Sequence, residues 1–354
     1  MLLLSLACRP ATPDETAQRA DSAWTWSESG ETGTSAAGAP DLLLSIADGQ
    51  EVVRLTFPEG DIRTAPKVAW RWSLRDDFAG RDHKPHGLEV DGDSVLVTCF
   101  DYFTDSMVVR LSLENGELLG TPRGSGNLAW AGQPSADSLR SAHNALVYED
   151  GFLLSDTHHH RVLAVDADWT ALWEINQQTI GGDRTLRQGF SNVNDVELVV
   201  VEGQQRLMVS TRAPTFNTVM LFAPMEPVLE GDPPWTPSWR WPTYPDRDVL
   251  NEPHNPRVVA EGFTVADSGN DRVRGVSWTG EALWTFPDRG CEPSAWDLDW
   301  PRDVVQRDDG VLLIADTLGD KLIAVDPAEG GCFSDATVLW SLEDLGRPYQ
   351  VEPL

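Results

Sequence analysis

The sequence has little positive charge and no long hydrophobic run. Its 27 lysine and arginine residues are outnumbered by 56 acidic residues, which gives a formal net charge of -29. Such an acidic surface repels nucleic acid and anionic lipid, because phosphate binding needs clustered basic side chains. No segment approaches the roughly 20 consecutive apolar residues that a membrane-spanning helix requires. A small anion could bind only where local positive charge overrides the overall field.

Cysteine is also scarce, with four in 354 residues. The first, Cys8, follows the apolar stretch Met1–Ala7, which resembles the end of a bacterial lipoprotein signal. This stretch is short and lacks a basic segment, which a start codon placed too far downstream would explain. The alternative is a chance apolar start. We expect an exported, monomeric protein, periplasmic or on the cell surface, that is held to the membrane only by a lipid on Cys8.

The other three cysteines are Cys99, Cys291 and Cys332. In an exported protein, Cys291 and Cys332 are the natural candidates for a disulfide. The repeat layout described below places them on opposite faces of the fold, which argues against that pairing. Cys99 ends a predicted strand, and we expect it to be a buried apolar thiol.

The N-terminal region differs in composition from the rest of the chain. Residues 9–40 are mostly small, polar or acidic and show no hydrophobic periodicity. Such a segment cannot bury enough apolar surface to offset the entropy of ordering. We predict a lipoprotein-signal-like segment at 1–8, a disordered acidic tether at 9–40, and a folded body at 41–354.

The folded body contains an internal repeat. The clearest copies begin at Ala142, Pro253 and Pro301, and weaker copies begin at Pro85 and Val193. Each copy has a short apolar strand, a turn, a second strand, a third strand and a fourth; in the clear copies a glycine marks the turn, and the second strand ends in aspartate. The fourth strands lie around tryptophans: Trp70, Trp173, Trp239, Trp284 and Trp340. Copies of roughly 50 to 60 residues built from such strands are typical of four-stranded antiparallel blades.

The two ends of the body complete each other. Residues 41–73 supply the second, third and fourth strands of a blade, and residues 347–354 resemble a first strand. Pairing them completes a sixth blade and removes the sheet edge that an open ring would expose. The sequence therefore predicts an all-β fold, a six-bladed β-propeller closed by its C-terminal strand.

In a propeller, the first strand of each blade lines the central channel and starts at one face. Alignment of the repeats places six residues at this channel mouth: His86, His143, Asn194, His254, Arg302 and Tyr349. The next positions are Gly87, Asn144, Asp195, Asn255, Asp303 and Gln350. Strands that only pack need small or apolar side chains, so the ring predicts a site for a small anionic or polar ligand. The alternative is a hydrated channel mouth. Arg212, in a loop on the same face, adds positive charge.

Two other patterns favour structural roles. Asp156, Asp267 and Asp316 each precede a basic residue by five positions, and recurrence in several blades indicates packing rather than one active site. We expect each to bind turn amides and to pair with its basic partner: Arg161, Arg272 or Lys321. The histidines at 158–160 cannot all face one ion, because adjacent side chains on an extended chain alternate in direction. We expect no metal site and no cofactor.

Two families of propellers share features with this chain. The segment Val265–Val273 (VADSGNDRV) closely resembles the signature of the NHL group. The leading His143-Asn144 and His254-Asn255 pairs, with trailing leucine-tryptophan in three blades (ALWE, ALWT and VLWS), resemble bacterial arylsulfotransferase propellers. As a fold, the resemblance covers about residues 41–354, and its motifs are strong in three blades.

The resemblance to arylsulfotransferases implies a function. In that family a histidine at the channel mouth carries a sulfuryl group from an aryl sulfate to a phenol. The comparable histidines here are His86, His143 and His254, and Arg302 is the basic partner that the resemblance implies. The accompanying ligand-binding candidates are Asn144, Asn194, Asn255, Arg212 and Tyr349. The alternative is a non-catalytic NHL-type propeller that binds a small ligand or a protein partner, since fold alone does not decide function.

Overall fold

A computed structural model of the chain describes residues 26–28, 40–101, 105–124, 129–130, 139–181, 184–213, 217–222, 235–242, 250–287, 298–326 and 337–354. Their strands form six sheets, each built on four antiparallel strands. The four strands follow sequence order from the channel outward in five sheets, and in the sixth the C-terminal strand is innermost. Each innermost strand contacts the innermost strands of both neighbouring sheets, which closes the ring. The predicted six-bladed β-propeller is confirmed.

The blades are numbered from the one that contains both ends of the body, and strands are given from inside to outside. Blade 1 contains Pro348–Pro353, Leu42–Ile46, Glu51–Thr56 and Lys67–Ser73. Blade 2 contains Lys84–Asp91, Ser94–Phe100, Ser106–Ser112 and Arg123–Gly124. Blade 3 contains Ala142–Tyr148, Gly151–Asp156, Arg161–Val165 and Thr170–Ile175.

The other three blades follow the same plan. Blade 4 contains Val193–Val201, Gln204–Thr211, Thr218–Phe222 and Pro237–Trp241. Blade 5 contains Pro253–Val259, Gly262–Asp267, Arg272–Ser277 and Ala282–Phe286. Blade 6 contains Pro301–Gln306, Leu312–Asp316, Lys321–Asp326 and Thr337–Leu342.

The described helices are all short. Two are α-helical, Leu74–Asp77 and Arg184–Gly189, and three are 3-10 turns, Pro58–Gly60, Thr157–His159 and Ser268–Asn270. None of these helices has the length and hydrophobicity needed to cross a bilayer.

The C-terminal strand closes the ring as predicted. It pairs antiparallel with the second strand of blade 1, with Leu42 opposite Pro353 and Ser45 opposite Gln350. Val351 is fully buried in the cluster that joins blades 1 and 6. The last residues of the body therefore supply both backbone pairing and core packing for its first strands.

The core lies between blades. Strand residues alternate in direction, so both faces of each blade pack on a neighbour, and one apolar cluster fills each of the six interfaces. The tryptophans of the outer strands join neighbouring blades, as predicted. The Trp340 indole, for example, donates to Ile62 O of blade 1 at 2.6 Å, and the Trp239 indole donates to Trp278 O of blade 5 at 2.9 Å.

Three features of the outer strands were not predicted as such from the sequence. Blade 2 has no tryptophan in its fourth strand, which is the two-residue Arg123–Gly124. Ala129–Trp130 adds a fifth, parallel strand to blade 3. Trp26–Glu28, from within the predicted tether, adds a fifth, antiparallel strand to blade 6. This short pairing covers the outer edge of blade 6, where sheet hydrogen-bonding groups would otherwise face solvent.

Candidate functional site

A β-bulge lies at or directly after the ring position of every inner strand. The pairing with the second strand shifts register at the ring residue in five blades, and in blade 5 it shifts just after His254, which pairs with Ala266. A bulge inserts an extra residue and re-aims its side chain. The ring residues therefore leave the regular alternation of the strand and come together at one end of the channel.

The six ring residues are nearly inaccessible to solvent. His143 and Arg302 are the most exposed of them, at 8% and 9%. The His86 ring stacks on the His143 ring with centroids 4.3 Å apart, and the His254 ring lies 6.4 Å from that of His143. The structure thus brings the three predicted histidines into one aromatic cluster.

Arg302 reaches across blade 1 to blade 2. Its guanidinium lies over the Tyr349 ring at 4.4 Å, and its Nη1 donates to His86 Nε2 at 2.9 Å. Because arginine only donates, His86 Nε2 is an acceptor and the His86 imidazole is neutral. Arg302 Nε is buried and has no hydrogen-bond partner among the described residues. Arg302 is therefore held in place while keeping a donor for a ligand.

His254 is held in one tautomer. Its Nδ1 lies 2.9 Å from Glu252 O and 2.8 Å from Ser268 Oγ. A carbonyl oxygen accepts only, and the Ser268 hydroxyl is donated to Pro301 O at 2.5 Å, so Nδ1 carries the proton. When the ring is neutral, Nε2 therefore carries a lone pair.

His143 and Asn194 complete the ring, and they differ in whether their side chains have hydrogen-bond partners. His143 Nδ1 is buried and has no hydrogen-bond partner within the part of the chain that the structure describes. The Asn194 amide donates to Pro253 O of blade 5 at 2.9 Å. His143 therefore has a nitrogen available to a ligand, whereas the Asn194 amide ties two blades together.

The three imidazoles are neutral at physiological pH. Burial lowers the pKa of His86, His143 and His254 well below 6.5, and the Arg302 charge lowers each pKa further. The charge of this cluster therefore comes from Arg302. In a protein of net charge -29, one fixed guanidinium surrounded by neutral rings favours a small anion.

The second layer of predicted residues braces the blades. The Asn144 amide donates to Asp195 Oδ1 at 2.9 Å, and the Gln350 amide bonds both the N–H and the carbonyl of Leu88 at 3.0 and 2.9 Å. Gly87 leaves no room for a side chain, since an added Cβ would lie 2.5 Å from Asn144 Oδ1. Asn255 differs, because its buried Nδ2 has no partner among the described residues. Asn144 is thus used in packing, whereas Asn255 retains a donor.

Arg212 lies at the rim but does not add free positive charge. Its Nε pairs with Glu252 Oε1 at 2.9 Å, and the Arg212 side chain is 41% exposed. Burial raises the pKa of Glu252, and the charge of Arg212 partly offsets this rise. Because Arg212 is paired, Arg302 remains the main positive charge for a ligand in the ring.

The repeated aspartates have the structural role that the sequence predicts. Asp156 accepts from Arg140 N at 2.8 Å and pairs with Arg161 at 2.8 Å. Asp267 and Asp316 repeat this pattern, accepting from Asn251 N and Asp299 N and pairing with Arg272 and Lys321. Each aspartate thus joins the channel-face loop to the start of its own inner strand.

His159, His160 and Cys99 take no part in the ring. His159 Nδ1 lies 2.9 Å from Asp156 Oδ2, and His160 Nδ1 accepts from Asn192 N at 2.9 Å. In the described ranges, no three histidine, cysteine or acidic side chains are arranged to hold a metal ion. Cys99 is buried, and burial raises its thiol pKa. The candidate lipidation residue Cys8, with Cys291 and Cys332, lies outside the described residues.

Three site residues were not predicted from the sequence: Phe100, Glu252 and Ser268. The Phe100 ring packs on His86 and His143, with centroids 5.3 and 5.1 Å apart. Ser268 did have a signal, because a hydroxyl follows the repeated aspartate in each clear copy. Those hydroxyls donate to the next inner strand: Thr157 to Val193 O, Ser268 to Pro301 O and Thr317 to Pro348 O.

Comparison with known proteins supports the fold and goes no further. No protein-family model matches the chain, and no curated protein matches it. Among solved structures, a nidogen/laminin complex matches with a TM-score of 0.54 and 15% identity, over 88% of this chain and 97% of that one. A protein of unknown function from Bacteroides caccae matches with a TM-score of 0.53 and 13% identity, over 89% and 99%.

A third solved structure, a protein from Lactobacillus plantarum, matches with a TM-score of 0.55 and 11% identity, over 89% of this chain and 99% of that one. At such low identity these likenesses define the class of the protein as a β-propeller and say nothing of its activity. No family match supports the NHL or arylsulfotransferase resemblance.

Proposed function

We propose that the channel mouth is an active site at which His254 carries a sulfuryl group from an aryl sulfate to a phenol. The observation that carries this proposal is the fixed tautomer of His254. Its Nδ1 proton is held by Glu252 O and Ser268 Oγ, which leaves Nε2 as an unprotonated nucleophile. A nucleophilic histidine oriented through its other nitrogen is a recurring feature of covalent catalysis.

The first step would transfer the sulfuryl group to the protein. The Nε2 lone pair of His254 forms a bond to sulfur as the bond from sulfur to the aryl oxygen breaks. The aryl oxygen leaves with the bonding pair as a phenoxide. The ring becomes an imidazolium, whose Nδ1–H remains bonded to Glu252 O and Ser268 Oγ. Those two acceptors favour the positive charge that develops on the ring.

The second step would return the sulfuryl group to an acceptor phenol. The phenol oxygen forms the new bond to sulfur, and the electron pair of the nitrogen–sulfur bond returns to His254. His143 Nδ1, which has no hydrogen-bond partner among the described residues, accepts the phenol proton. Arg302 would stabilise the sulfate oxygens in both steps, since its Nε is an unused buried donor.

Replacing His254 tests this assignment. His254→Asn keeps a donor near the position of Nδ1 and removes the nucleophile. We expect turnover of 4-nitrophenyl sulfate with a phenol acceptor to fall by about 1,000-fold or more, with little change in melting temperature. His159→Gln, which keeps a partner for Asp156 outside the ring, is the control and is expected to retain activity. A sulfuryl adduct on wild type that persists in His254→Asn would contradict the role of His254.

A second candidate function is binding without catalysis. The ring residues are at most 9% exposed, so the site admits a small oxyanion more readily than a bulky aromatic ester. In that case wild type would bind inorganic sulfate but would show no turnover. Arg302→Gln is expected to weaken sulfate binding by roughly tenfold or more, because it removes the main positive charge of the site. Sulfate binding unchanged by Arg302→Gln would leave only a hydrated channel.

We further propose that the protein is an exported lipoprotein anchored through Cys8. The support is the apolar stretch before Cys8 and the small, acidic composition of residues 9–40. Aryl sulfates outside the cytoplasm would then be the substrates that reach the channel mouth.

A further inference from the structure

A second cluster of charged side chains begins directly after the ring residues and continues along the inner strands towards the other end of the channel. Its acidic members come from blades 1, 2, 4 and 6: Glu89, Asp195, Glu197, Asp303 and Glu352. Its basic member is Arg257 of blade 5. Five carboxyl groups around one guanidinium leave this cluster with an excess of acid, in contrast to the channel mouth.

Arg257 pairs with two of these acids. Its Nε and Nη2 donate to the two oxygens of Asp303 at 3.2 and 3.1 Å, and Nη2 lies 2.8 Å from Glu352 Oε2. Asp303 also accepts from Val351 N at 3.0 Å. The aspartate of blade 4, Asp195, is bonded by the Asn144 amide. The two carboxylates that pair with Arg257 are therefore Asp303 and Glu352, and not Glu197.

Glu197 is the unsatisfied member of this cluster. Its Oε2 is inaccessible to solvent and has no hydrogen-bond partner among the described residues. A buried carboxyl oxygen without a partner is costly, so this atom calls for a donor. Glu197 also lines a cavity of about 380 Å³, together with Arg257 and Glu352.

The remaining walls of the cavity are largely apolar. They come from the ends of four consecutive inner strands, and the exposed valines among them are Val200 and Val258. Val200 is 66% exposed, so the apolar rim is open to solvent. The cavity thus combines an acidic floor with a rim of valines, which suits a molecule with one cationic end and an aliphatic chain.

We propose that this cavity binds a short primary alkylammonium ion, with its ammonium group between Glu197 and Glu352 and its alkyl chain against the valines. An anion is excluded by the surplus of carboxylates, and a neutral apolar molecule would leave Glu197 Oε2 unpartnered. A metal ion is disfavoured, since no three acidic side chains of the described residues have the necessary arrangement. The proposal does not depend on the proposed sulfuryl transfer.

Protons compete with such a cation for the same groups. Burial raises the pKa of Glu89 and of Asp195 to about 7 each, and burial raises the pKa of Glu197 and Glu352 as well. Arg257 of blade 5 and Asp303 of blade 6 also act on the Glu197 carboxyl group: Arg257 lowers its pKa and Asp303 raises it. The cluster therefore gains negative charge as the pH rises through about 7, and cation binding must strengthen over that range.

Calorimetric titration of the full chain with n-butylammonium at pH 8 tests the proposal, with n-butanol as the neutral probe of similar shape. We expect saturable binding of the ammonium and none of the alcohol. Glu197→Gln should weaken binding roughly 10- to 100-fold, the worth of one charge-assisted hydrogen bond. The matched control is Glu261→Gln, which removes one exposed carboxylate from the hairpin of blade 5 and is expected to change binding less than twofold.

The pH dependence of the wild type gives a second test that needs no variant. Binding is expected to weaken about tenfold or more from pH 8 to pH 6, a range in which n-butylammonium stays charged. Equal binding of n-butanol, equal effects of Glu197→Gln and Glu261→Gln, or affinity independent of pH would each overturn the proposal.

Discussion

The ring histidines are expected to make stability depend on pH. Burial lowers the pKa of His86, His143 and His254 well below 6.5, whereas a histidine in the unfolded chain titrates near 6.5. Below pH 6.5 these histidines become protonated in the unfolded chain but stay neutral in the folded ring. The stabilisation is therefore fully present above pH 6.5 and is lost as the pH falls towards the folded pKa. Linkage gives a loss of up to about 1.3 kcal/mol per histidine between pH 7 and pH 5.5, or up to about 4 kcal/mol for three.

Buried carboxyl groups act in the opposite direction over the same range. Burial raises the pKa of Glu89 and Asp195 to about 7, so the folded chain binds protons that the unfolded chain still lacks. Each is expected to add about 1.5 kcal/mol of stability between pH 7 and pH 5.5. The two effects largely cancel in the wild type, so the histidine contribution must be measured as a difference between proteins.

His86→Gln isolates one histidine, because the glutamine oxygen can still accept from Arg302. The free energy of unfolding would be measured by urea denaturation, followed by tryptophan fluorescence, at pH 7 and pH 5.5 in variant and wild type. Whatever the substitution costs at pH 7, the free energy of unfolding of the variant should rise relative to the wild type by up to about 1.3 kcal/mol at pH 5.5. A difference that is the same at both pH values would show that His86 titrates alike when folded and unfolded, which would refute the reasoning.

Three further predictions concern closure, packing and export. Deletion of residues 348–354 should cause aggregation or a large loss of thermal stability, because it removes the strand that closes blade 1; a truncated chain that melts like the full one would contradict closure. Trp340→Phe should cost about 2–4 kcal/mol in urea denaturation, against about 1 kcal/mol for the partly exposed Trp284→Phe, since both indoles donate a hydrogen bond but only Trp340 is fully buried; equal costs would argue against this. Cys8→Ser should move the protein from the membrane fraction to the soluble fraction, and unchanged fractionation would show that the N-terminus is not a lipoprotein signal.

Much of the architecture could be predicted because a propeller repeats one local pattern. The number of blades, their closure by the last strand and the membership of the ring all follow from aligning strand, turn and strand. The aspartate at the end of a second strand and its basic partner five residues later are likewise local in sequence. Their ion pairs, such as Asp156 with Arg161 at 2.8 Å, needed no knowledge of distant contacts.

The sequence by itself thus determined the ring and its six residues, whereas the tertiary structure decided what those residues do. Arg302 bonds His86 across blade 1, although the two lie 216 positions apart in the chain. Ser268 fixes the tautomer of His254, and the second cluster, around Arg257, draws on five blades. Such contacts depend on bulges, rotamers and the closure of the ring, which bring together side chains that share no local pattern. Periodicity therefore indicates which residues face the channel, but only the folded chain shows their partners.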